Sequence, residues 1–94
     1  MMCGGTSEPK PATEEVQAIM DNIKEAVEEK VGSSLSKFEL ISYKTQVVAG
    51  TNFFAKIDLG DSHVHARVYR NLSGEVSLHS VQHPKGLEDE IEYF

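Results

Sequence analysis

A chain of 94 residues is one small domain, large enough to bury a core without disulfides or metals. Apolar residues make up 39% and charged residues 26%, which suits a folded chain better than a disordered one. The net charge of −6 argues against nucleic acid and anionic membrane surfaces as main partners, and no apolar run approaches the ~18 residues of a membrane span. The N-terminus has neither a basic nor an apolar leader segment, so no secretory signal is read. A single cysteine, Cys3, rules out an internal disulfide and fits a reducing compartment. The expected address is cytoplasmic, with the nucleus left open.

Residues 1–12 read as a flexible extended arm, because two glycines followed by Pro9 and Pro11 deny it a helix. Residues 13–30 form the one long helix. Thr13 caps it, and Glu14 and Glu15 oppose the positive end of its dipole. Val16, Ile19, Met20, Ile23 and Val27 make one apolar stripe, and Gly32 follows as the C-terminal stop. The stripe needs a surface to cover, and strand patterns follow.

Ile41, Tyr43 and Val47 alternate with polar Ser42, Lys44 and Gln46, the period of a half-buried strand. Phe53, Ala55, Ile57 and Leu59 repeat the pattern. After the turn Gly60-Asp61-Ser62 come Val64, Ala66 and Val68, then the turn Asn71-Leu72-Ser73-Gly74. A last strand runs from Val76 to about Gln82, where Pro84 breaks it. The expected fold class is α+β: one long N-terminal helix packed on an antiparallel β-sheet meander, a single domain over residues 1–94.

One turn breaks the usual chemistry. Hairpin tips are polar as a rule, yet here the tip is Val47-Val48-Ala49-Gly50-Thr51. Two branched apolar side chains at an exposed tip have no local purpose and read as a knob for a partner. In a meander the turn carrying Leu72 falls at the same end of the sheet.

These features resemble the type 1 cystatins, the stefins, over essentially the whole chain. Gln46-Val47-Val48-Ala49-Gly50 matches the family's QxVxG motif, and Thr51-Asn52-Phe53-Phe54 continues a stefin-like run. Met1-Met2-Cys3-Gly4 resembles a stefin start, Pro11-Ala12-Thr13 the approach to its helix, and Glu90 with Tyr93-Phe94 its ending. The resemblance implies a cystatin-like fold and reversible, tight inhibition of papain-like cysteine proteases, such as papain and the lysosomal cathepsins B, H, L and S. By position, Gly4 and the residues before it would fill the non-primed subsites. Gln46, Val47, Val48, Ala49 and Gly50 would cover the catalytic pair, and Leu72 with Ser73 would touch the primed side.

The chain departs from the pattern where stefins carry Leu-Pro. Leu72-Ser73-Gly74 stands there, a looser sequence expected to cost more to order. It is also shorter than its relatives around residues 60–62 and after Gly74.

The other candidate chemistries are weak. The four histidines, His63, His65, His79 and His83, read as surface residues of the outer sheet face, so no metal site or cofactor is expected. Cys3 has no neighbouring base to activate it. Glu88, Asp89, Glu90 and Glu92 read as a solvated acidic tail. No catalytic residue is expected. The competing reading is a binding module without inhibitory role or a self-assembling scaffold: a monomer whose hinge at Val47-Val48 opens into a domain-swapped dimer, which would bury the same loop.

Overall fold

Thr13 sits in extended conformation, and its hydroxyl accepts the Val16 N–H at 3.2 Å, so the chain enters a helix at Glu14. The computed structural model describes residues 8–94. Within them, strand β1 (Lys10–Pro11) is followed by helices α1 (Glu14–Asp21) and α2 (Lys24–Val31). The strands β2 (Glu39–Val48), β3 (Gly50–Asp58), β4 (His63–Arg70) and β5 (Val76–Lys85) complete the fold.

The expected single helix is therefore two. The Ile23 N–H bonds back to Met20 O at 3.0 Å, three residues rather than four, and Ile23 leaves helical geometry at φ −115°. Asn22 and Ile23 are both weak helix formers, so the break falls where propensity is lowest. The apolar stripe survives it, and Val16, Ile19, Met20, Ile23 and Val27 are all buried. Gly32 ends α2 at φ +87°, the left-handed stop expected of it.

The five strands form one antiparallel sheet in the order β1-β2-β3-β4-β5. Lys10 and Pro11 pair with Tyr43 and Ser42, and the Ala12 N–H reaches Ile41 O at 3.2 Å. A loose arm over residues 1–12 thus does not hold for residues 10–12, while residues 1–7 lie outside the described residues. At its other end the chain also exceeds expectation: β5 runs through Pro84 to Lys85, with register shifts opposite β4.

The phase of β2 differs from the sequence reading as well. Leu40 pairs with Ile57 and Ser42 with Lys56, which leaves Ile41 as the extra residue of a bulge. Leu40 and Tyr43 consequently both enter the core, and Ile41 is only half-buried. They meet Phe53, Ala55, Ile57, Val64, Ala66 and Val68 beneath the helices. Gln17 ties α1 to the start of β2, accepting from Leu40 N–H at 2.7 Å and donating to Phe38 O at 3.2 Å.

The opposite sheet face is not open to solvent. Phe54 is fully buried there, under Tyr93 and Phe94, and Ile91 is buried beside them. The segment expected to be a solvated acidic tail docks on the sheet instead. Lys56 Nζ donates to Leu87 O at 2.6 Å and Arg67 Nη1 to Phe94 O at 2.5 Å. Glu88, Asp89, Glu90 and Glu92 stay exposed, while Ile91 is buried and Phe94 half-buried. His65 lies on this covered face too. It is fully buried, contrary to its reading as a surface histidine.

Candidate functional site

The hairpin between β2 and β3 turns on almost nothing. Val48 pairs with Gly50, so Ala49 alone forms the bend. Gly50 takes φ +109°, a conformation that L side chains rarely adopt. A Cβ there would also lie 2.5 Å from Arg70 O and 2.8 Å from the Tyr69 hydroxyl. Glycine is therefore required twice, for the backbone and for the space.

Below the tip the hairpin is braced. Gln46 and Asn52 are cross-strand partners, and Asn52 Nδ2 donates to Gln46 Oε1 at 2.8 Å. Both side chains are buried. From β4, the Tyr69 hydroxyl donates to Ala49 O at the tip itself. Gln46 and Gly50 are thus set beneath the surface, while Val47 is 74% and Val48 46% exposed.

The second turn, between β4 and β5, is organised by one side chain. Asn71 Oδ1 accepts the N–H groups of Ser73 and Glu75, each at 2.9 Å, and Asn71 Nδ2 donates to Glu75 Oε1 at 2.9 Å. The backbone closes the same loop, Gly74 N–H to Asn71 O and Asn71 N–H to Glu75 O. The expectation that Leu72-Ser73-Gly74 is a loose substitute for Leu-Pro fails for this reason: Asn71 supplies the order that proline would have given. Leu72 stands on this frame 84% exposed.

Thr51 pairs with Arg70, which sets the two turns side by side. Val47 and Val48 on one side and Leu72 and Gly74 on the other line one shallow depression. Arg70 also lines it, and its guanidinium lies 5.2 Å over the Phe53 ring and 4.0 Å from Glu15. The exposed side chains at this end are thus mainly the apolar Val47, Val48 and Leu72, with Arg70 as the charged member of the lining. Of the predicted site residues, Val47, Val48, Ala49 and Leu72 with Ser73 come together at this end. Gly4 lies outside the described residues.

Sequence reasoning missed Asn52, Tyr69 and Asn71. Asn71 carries a local signal, an Asn opening a turn that closes on Gly74. Asn52 and Tyr69 carry none, because their partners become neighbours only through strand register. The histidines scatter: His63 lies 3.9 Å from Asp58, His79 meets Ser80 and His83 meets Ser62. Among the described residues no three His, Cys, Asp or Glu side chains gather as a metal ion would need. No helix there is long and apolar enough to cross a membrane.

A paired-hairpin edge on a sheet wrapped around a helical layer is the architecture of one inhibitor class, and the cystatin-domain family model matches residues 4–89. The chain belongs to the cystatin family, in its type 1 or stefin branch, whose members are cysteine protease inhibitors and not enzymes. Within that branch it is similar to cystatin B. It is 48% identical to cystatin-B of Oplegnathus fasciatus over 98 aligned positions, covering 100% of this chain and 98% of that protein. Cystatin-B of Bos taurus is 46% identical and cystatin-A of Homo sapiens 43%, each with both chains fully covered.

Proposed function

We propose that the protein inhibits papain-like cysteine proteases reversibly and tightly, papain and cathepsins B, H, L and S among them, by plugging the active-site cleft. The observation that carries this reading is the pair of adjacent braced turns presenting Val47, Val48 and Leu72 to solvent. Apolar groups on stiff turns lose little freedom on docking, which favours affinity. Val47, Val48 and Ala49 sit over the catalytic cysteine and histidine. Gln46 and Gly50 hold that tip from below. Leu72 and Ser73 meet the primed side, and Gly4 with the residues before it fills the non-primed subsites.

The mode is exclusion rather than substrate mimicry. The chain reverses at Ala49, and its carbonyl accepts the Tyr69 hydroxyl. That carbonyl is directed into the inhibitor instead of toward a thiolate, so no attack geometry is reached. The proposed place of action is the cytoplasm, extending to the nucleus, in keeping with a sequence that has a single cysteine.

Titration of active papain with the purified monomer tests the proposal. Activity falling linearly to zero at a 1:1 ratio supports it; undiminished turnover at equimolar protein overturns it. A domain-swapped dimer is the second reading. It is favoured by two long strands joined through a single residue, which would straighten into one. Separated by size exclusion, such a dimer should not inhibit, because its tip is consumed.

A further inference from the structure

The first hairpin tip projects past the sheet, and its exposed valines find little to pack on. Beyond its own ladder, one side chain from a third strand holds it. Asn52 pairs with Tyr69, so the phenol starts two positions inward of Gly50 and slants across it toward the tip. A Cβ on Gly50 would lie 3.0 Å from Tyr69 Cε1 as well as 2.8 Å from its hydroxyl. The ring passes through space that only glycine leaves open, and the hydroxyl then reaches Ala49 O.

We infer that Tyr69 is a positioning residue for inhibition: its hydroxyl, reaching past Gly50, ties the Ala49 carbonyl to β4 and holds the tip in its binding shape. This rests on the reading of the hairpin as the protease wedge. A phenylalanine would fill the same volume and leave the carbonyl to water. The bend would then lose its tie to β4, and part of the docking free energy would go into ordering it. The link also reaches past the hairpin, because it makes the tip depend on β4, the strand that leads into the Leu72 turn. One hydroxyl thereby keeps the two apolar turns in a fixed relation.

The test compares wild type, Tyr69→Phe and Val48→Asp against papain by inhibition kinetics, with backbone amide relaxation measured on each free protein. Tyr69→Phe is expected to keep the wild-type Tm, to raise Kd roughly three- to tenfold, and to lower the order parameters of the Val48, Ala49 and Gly50 amides. Wild-type affinity in Tyr69→Phe overturns the inference. Weakened binding with wild-type order at the tip also overturns it, because the hydroxyl would then be touching the protease directly. Val48→Asp reports on the wedge itself: if it binds as wild type does, the hairpin is not the contact and both readings fall.

Discussion

The Tyr93 ring lies against Phe54 with centroids 5.4 Å apart and planes inclined at 55°. Phe94 meets the same ring edge-on at 5.8 Å, and the Arg67 guanidinium stands 5.4 Å from Phe54 and 5.5 Å from Tyr93. The C-terminal segment is thereby a third layer that covers Phe54 on the outer face of the sheet. Solvent-facing apolar side chains are left mainly to the turns.

Phe54 should accordingly behave as a core residue. Phe54→Ala is expected to cost about 3–5 kcal/mol, the range for removing a buried aromatic side chain. Urea denaturation followed by circular dichroism measures it. A loss below about 1 kcal/mol would mean that the segment contributes no cover.

Val48→Asp should separate stability from binding. The side chain is already half in water, so the unfolding free energy from urea denaturation should change by no more than about 0.5 kcal/mol. In the complex the new carboxylate would be buried without a partner, and the inhibition constant for papain should rise at least a hundredfold, on the order of 3 kcal/mol.

Asn71 and Ser73 make a sharper case. Asn71→Ala removes the acceptor for two backbone N–H groups and should loosen the Leu72 turn, speeding dissociation several-fold, about 1 kcal/mol. Ser73→Pro would restore the family's Leu-Pro. The Ser73 N–H, however, donates to Asn71, and proline has none to give. Calorimetry with papain should show no tighter binding for Ser73→Pro; a clear gain would mean that the asparagine frame is dispensable.

His65 links stability to acid. Burial, the largest cause, lowers its pKa from 6.5 to about 4, helped by Lys56, Lys85 and His63 and opposed by Asp89. Neither ring nitrogen has a hydrogen-bond partner among the described residues. Between these values the unfolded chain binds the proton and the folded one does not. The stability this neutral ring supports is therefore present above about pH 6.5 and is lost as pH falls toward 4, on the order of 3 kcal/mol. Asp58 and Asp89, whose carboxyls are lowered first by the Gly60 and Gly86 N–H groups, act in the same direction at lower pH. Urea midpoints from pH 7 to 4.5 should fall less steeply in His65→Leu than in wild type; equal slopes would remove His65 from the account.

Much of this was legible in the chain. The helix stripe, the Gly32 stop and the helix-facing residues of β3 and β4 follow from periodicity, because local geometry alone decides which face they share. The exposed valines were legible as chemistry out of place in a turn. What escaped the sequence reading depends on distant partners. The burial of Phe54 on the outer sheet face was not legible, because its cover, Tyr93 and Phe94, arrives about forty residues later. Gln46 looked like a solvent-facing strand residue until register set Asn52 opposite. The bulge at Ile41 put Leu40 rather than Ile41 into the core, with no glycine or proline to announce it.

A meander returns on itself, so the connection at Gly60 and Asp61 lies a full strand away from the apolar turns, roughly 30 Å for the nine residues of β3. Asp61 is exposed and belongs to neither packed layer. A dye, bead or resin tethered there leaves the working end unobstructed. The molecule thus carries its own natural handle for surface-immobilised measurements.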